Sequence, residues 1–150
     1  MSTQLTTTYL MTKAETLCSS ARTLLNLGDT DSAINRAYYA MFHAARVALL
    51  KTDAPVDPNI VRTHKGLIGA FGQYVVKNNP ELSAMGRILS RAQTARIIAD
   101  YADSSDKPAV AEEIVNQAEN FVATIKALQF DKQPAHPKRE PTSGSSSDPF

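Results

Sequence analysis

Apolar residues recur every three or four positions along most of the chain, the period of helices that bury one face. Leu10, Ala14, Leu17, Cys18, Ala21, Leu24 and Leu25 form a stripe that stops at Gly28, which predicts a helix over Thr7 to Leu27. Asp29-Thr30-Asp31-Ser32 then offers N-cap oxygens and first-turn carboxylates for a second helix reaching about Leu50. A loop with Pro55 and Pro58 precedes a third helix over Leu67 to Lys77. Pro80 opens a fourth, ending at Tyr101, with Leu82, Met85, Leu89, Ala92 and Ala99 turned inward. Pro108, followed by Glu112 and Glu113, opens the fifth, whose apolar face is Val110, Ile114, Ala118, Phe121, Val122, Ile125 and Leu128. No segment alternates with period two for long enough to make a strand. The expected fold is therefore all-α, an up-and-down helical bundle of about five helices.

The pattern stops after Phe130. The last 20 residues hold four of the eight prolines and the serine-rich run Ser143 to Ser147. Such a segment has too few apolar groups to offset its ordering entropy, so residues 1–130 are expected to form the bundle and 131–150 a disordered, Pro/Ser-rich C-terminal tail.

Three places inside the bundle break the simple stripe. The second helix is apolar almost all round: Ile34, Tyr38, Met41, Ala45 and Leu49 make its core side. On the opposite side Ser32, Arg36, Tyr39, His43 and Arg46 fall within a sector of about 80°. In the fourth helix Arg96 points within about 20° of the centre of the apolar face. Burying a lone guanidinium costs several kcal/mol, so Arg96 needs a partner, either Asp100 at i+4 or an anionic ligand. In the third, Gly66, Gly69 and Gly72 cost about 1 kcal/mol each, which close approach of another helix would offset. They lack the Lys-Ser/Thr ending of a phosphate loop.

Composition narrows the chemistry only a little. The chain is 43% hydrophobic, with 16 basic and 15 acidic residues and a net charge of +1, so a nucleic acid must be held by a local patch. Cys18, the single cysteine, lies on the first helix's apolar stripe with no basic neighbour, the place of a structural thiol. No apolar run approaches the ~20 residues of a membrane span, and no secretion signal is visible, so a cytoplasmic location is expected, with no membrane. Without a cysteine pair or an HExxH sequence, neither a metal site nor a cofactor is expected.

Residues 32–45, Ser-Ala-Ile-Asn-Arg-Ala-Tyr-Tyr-Ala-Met-Phe-His-Ala-Ala, resemble the HEPN domain family, in particular its small stand-alone bacterial and archaeal members. Thr63-His64-Lys65-Gly66 with Phe71, and then Ala95-Arg96-Ile97-Ile98-Ala99-Asp100-Tyr101, are similar to the family's later blocks, in order, so that the resemblance spans about Leu10 to Leu128. It implies a helical bundle that often dimerises. Many members are metal-independent ribonucleases marked by an arginine followed, after four to six residues, by a histidine.

Arg36 and His43 have that spacing, but on the second helix, whereas the family's nucleases usually carry the motif on a later one. There this chain has Arg96 with Asp100 and Tyr101 and no histidine. Three options follow: a nuclease using Arg36 and His43, a nuclease combining Arg96 with a histidine from elsewhere, or a silent relative. The expected catalytic residues are Arg36, His43 and Arg96, with Tyr39, His64, Asp100 and Tyr101 binding substrate. The resemblance implies RNA or a nucleotide as ligand and a homodimer, with a nucleotidyltransferase-type partner protein. The corresponding function is an RNA-cleaving effector of a toxin-antitoxin or phage-defence system. The alternative is a silent HEPN module that binds a nucleotide or a partner protein and regulates it.

Overall fold

A computed structural model describes residues 3–101 and 106–130; the tail expected over 131–150 lies outside them. Five helices run α1 (Thr3–Asn26), α2 (Thr30–Thr52), α3 (His64–Ala70), α4 (Ser83–Tyr101) and α5 (Lys107–Ala127), with no strand among the described residues. The ends follow local chemistry. Gly28, at φ 85°, takes the left-handed turn that lets the Gly28 and Asp29 N–H groups cap the carbonyls of Leu25 and Leu24. Asp29 is the N-cap of α2, its carboxylate accepting from the Ser32 N–H at 3.2 Å. Asp53, at φ 57°, closes that helix with its N–H on Leu49 and Leu50.

α2 is the central helix, packed against α1, α4 and α5. That position explains its apolar surround: Ala33, Ala37, Ala40, Ala44 and Ala48 are wholly buried and let neighbours approach closely, while Tyr38 and Met41 fill the space between. From α1 the core takes Leu10, Ala14, Cys18 and Ala21, and from α5 Ile114, Ala118, Phe121 and Ile125, all on their expected stripes. Burial, then Glu119 and Glu15, pushes the Cys18 thiol up to about 11, so it stays protonated and inert.

The third helix differs from its expectation in two ways. It starts three residues earlier, at His64, and after Ala70 it continues as a π-helix over Phe71–Val76. The Lys77 N–H reaches back to the Gly72 carbonyl at 3.0 Å, and the Asn78 and Asn79 amides satisfy the carbonyls of Tyr74 and Val75. Phe71 and Val75 are both buried in the core, Phe71 with its ring 5.5 Å from that of Phe121. The expectation that Gly66, Gly69 and Gly72 meet another helix is corrected. A Cβ on Gly66 would lie 1.9 Å from the carbonyl oxygen of Ile60 in the preceding 3-10 turn, and nothing lies within 4 Å at Gly69 or Gly72. Pro80 opens a 3-10 turn, Pro80–Leu82, that leads into α4.

Candidate functional site

The tight turn before α3 is what places His64. Thr63 is the N-cap: its hydroxyl accepts from the Gly66 N–H at 2.9 Å and donates to the Ile60 carbonyl at 2.9 Å. With Gly66 required for clearance, the turn is fixed on both sides of His64, and the imidazole leaves the first residue of α3 toward α2.

There it meets three aromatic rings of α2, those of Tyr38, Tyr39 and Phe42. Tyr38 Oη lies 2.8 Å from His64 Nδ1, and Tyr39 Oη lies 3.5 Å from Nε2. The proton on the shorter contact sits on either atom, according to the tautomer. Phe42 packs edge-on against the imidazole, ring centres 5.3 Å apart. Tyr38 is wholly buried, whereas Tyr39 and His64 are only partly so. The buried phenol therefore positions the imidazole, and the half-buried groups face outward.

Arg96 closes the cluster from α4. Its guanidinium carbon lies 5.3 Å from the centre of the Tyr38 ring and 5.8 Å from that of Tyr39, and its Nε and Nη2 both donate to Gln93 Oε1 at 3.3 Å. Cation–π contact of this kind contributes about 0.5–2 kcal/mol, which offsets the cost of holding the charge at the rim of the core. Burial, and secondarily Arg96, lowers the pKa of His64 and keeps its imidazole neutral. Burial raises that of the Tyr38 phenol despite the opposing pull of Arg96, so its hydroxyl stays protonated.

Of the residues expected from sequence, Tyr39, His64 and Arg96 come together. Arg36 and His43 lie elsewhere on α2. Arg36 is exposed, in a shallow groove with Thr16, Ser19, Ser20 and Thr23 of α1. His43 has a buried Nδ1 without a partner, and burial, with Lys13 of α1 and Arg46, lowers its pKa to about 4. Asp100 and Tyr101 end α4, but their side chains, and with them the expected Arg96–Asp100 pair, lie outside the described residues. Sequence reasoning missed Tyr38, assigned to the core alone, and Gln93. A tyrosine on a core stripe carries a hydroxyl that must find a partner, and Gln93 lies at i−3 from Arg96; those were the available signals. Among the described residues no three His, Cys, Asp or Glu side chains gather as metal ligands, and no helix is long and apolar enough to cross a membrane.

The sequence profile of the HEPN domain matches residues 7–128, which include every residue of this cluster. The chain belongs to the HEPN domain family. A HEPN relative from Methanocaldococcus jannaschii, named as a candidate toxin, is 37% identical over 115 residues, covering 75% of this chain and 81% of that one. A UPF0332 protein from Gloeobacter violaceus is 31% identical over 123 residues, 81% of this chain and 92% of that protein. A second M. jannaschii protein, also named as a candidate toxin, is 27% identical over 124 residues. The Tyr-Tyr of α2, the His of the Thr-His-Lys-Gly turn and the Arg of α4, which carried the resemblance in sequence, are thus the HEPN residues that meet in space.

Proposed function

We propose that this HEPN protein is a toxin-type effector that cleaves RNA without a metal, with Arg96, His64 and Tyr39 touching the substrate. The observation that carries the reading is the convergence of a cation, a neutral imidazole and a partly exposed tyrosine from three separate elements at one partly open place. RNA supplies its own nucleophile. His64 takes the proton of the 2′-hydroxyl through the ring nitrogen that Tyr38 does not hold, and the 2′-oxygen attacks the adjacent phosphorus. The planar fork of Arg96 leaves Gln93 for the non-bridging oxygens and stabilises the phosphorane charge. The bond to the 5′-oxygen then breaks, leaving a 2′,3′-cyclic phosphate and a 5′-hydroxyl. Tyr39 stacks on a base or orients the phosphate. Asp100 and Tyr101 are proposed to bind substrate from the end of α4.

The leaving oxygen needs an acid, which a second copy of the chain provides in a homodimer. Ile97 and Ile98, 44% and 52% exposed beside Arg96, support self-association at this end of α4. The candidate-toxin names of the M. jannaschii relatives support an effector role, held in check by a nucleotidyltransferase-type partner.

The test is a cleavage assay on a labelled RNA oligonucleotide in chelator, with products identified by mass. Wild type should yield cyclic-phosphate ends, and Arg96→Ala and His64→Ala should not; equal cleavage by all three would refute the assignment. The second reading, a silent HEPN module that binds a nucleotide or regulates a partner, is favoured by the contacts that already occupy Arg96 and His64. It expects RNA or nucleotide binding that Arg96→Ala weakens, with no product in any sample.

A further inference from the structure

Further along α2 lies a cavity that the proposed chemistry leaves unused. With a volume of about 290 Å³, it opens between Thr6 of α1, the C-terminal part of α2 and the loop that leads to His64, with Leu49, Leu50, Val56 and Val61 as apolar wall and Arg46 and Arg62 among its lining. Among the described residues the ion pairs join Arg22 to Glu119, Arg91 to Glu113, Lys107 to Asp31 and Lys126 to Glu15, and include neither Arg46 nor Arg62. Asp57, in the same loop, accepts through Oδ1 from the Asn59 N–H at 2.9 Å and is in none of these ion pairs.

We infer that this cavity is a nucleobase pocket, which takes one base of a single-stranded RNA and holds its phosphate between Arg46 and Arg62. The inference rests on the proposed RNA-cleaving function and names what would select its substrate.

Three observations carry it. Both walls are continuous with the cluster: on α2, Tyr39, Phe42 and Arg46 share a face at i, i+3 and i+7, with Arg46 about 10 Å along the axis from Tyr39. On the other wall, Arg62 stands two residues before His64, joined to it by the Thr63 turn. The size suits one ring system, since about 300 Å³ is the lower end of small-molecule sites. The chemistry is that of a nucleotide, because an apolar wall receives the flat face of a base while two unpaired guanidinium groups receive a phosphate or stack on the ring. An alkyl chain would leave both cations unanswered, and inorganic phosphate would leave the apolar wall empty.

The four nucleoside monophosphates, free adenosine and inorganic phosphate are titrated into the full chain and followed by NMR of amides 46–62. The expected result is that at least one monophosphate binds at least tenfold more tightly than both adenosine and phosphate. Arg62→Ala, at an exposed position, and Arg46→Ala should each weaken it about tenfold, and Val61→Trp, checked for fold by circular dichroism, should block it. Absence of monophosphate binding, phosphate binding as tightly as the nucleotides, or unchanged affinity in all three variants would each overturn the pocket. Cleavage separates this inference from the function it rests on. If the variants lose monophosphate binding while wild type cuts no RNA, the pocket stands and the cleavage reading falls. If wild type cuts RNA and the variants cut it with an unchanged base preference, the pocket falls and the cleavage reading stands.

Discussion

α2 carries an arginine and a histidine on the side that meets α1, and gathers another arginine and another histidine on the side that meets α3 and α4. Burial lowers the pKa of both imidazoles, but the two sides differ in how their groups are held. On the first, Arg36 and His43 belong to one helix, and His43 has an unpartnered buried nitrogen and a pKa of about 4. On the second, His64 and Arg96 arrive from distant parts of the chain, and each is held by contacts to Tyr38 and Tyr39. An imidazole that titrates near pH 4 is a weak proton acceptor at neutral pH. Spacing along one helix places groups side by side; preorganisation for chemistry requires neighbours from other elements that fix their direction.

Substitutions can break or sharpen this contrast. The largest effect is expected for Arg96→Ala, a fall in kcat of about 10²–10³-fold, as for loss of a group that stabilises transition-state charge. Circular dichroism should show the bundle still folded. Tyr38→Phe should be milder, about tenfold in kcat, with a changed pH profile of cleavage, because it removes the hydroxyl on His64 Nδ1 while keeping the buried ring.

On the α1 side the expected effects concern stability. The His43 pKa is lowered in the folded chain from 6.5 to about 4, so the unfolded chain binds the extra proton first as pH falls. The stability due to neutral His43 is complete above pH 6.5 and is lost progressively down to about pH 4. His43→Leu should therefore narrow the gap between melting temperatures measured at pH 7 and pH 4.5. The smallest change belongs to Arg22→Ala, which removes the forked pair with Glu119 joining α1 to α5. Both groups are partly exposed, so the melting temperature should drop by only a few degrees, about 0.5–1 kcal/mol, and less in high salt.

The helical part of the fold was readable because it rests on local rules. Asp29, Gly28 and Pro80 act at element ends through chemistry that a few neighbouring residues determine, and the stripes of α1 and α5 are buried where their period puts them. The π-helical stretch was not readable, since Phe71 and Val75 are spaced i, i+4, which an ordinary α-helix also places on one face.

The candidate site was half readable for the same reason. Arg96 stood out as a charge on an apolar face, and that anomaly pointed to a place where the chain holds polar groups at the rim of its core. Its stacking on Tyr38 and Tyr39, more than fifty positions earlier, depends on how α4 crosses α2. His64 has no helical stripe to belong to; only the turn built by Ile60, Thr63 and Gly66 shows why it points at Tyr38. The glycines were misjudged because a sequence cannot distinguish a residue that clears its own turn, as Gly66 does, from one that admits a neighbouring helix.

The most direct test of the account compares His64→Ala with His43→Ala on one RNA oligonucleotide in chelator, at equal folded concentration. The account expects cleavage to fall by about 10²-fold or more in His64→Ala and to stay within about threefold of wild type in His43→Ala. The reverse order would place the chemistry on the side of α2 that meets α1 and contradict it.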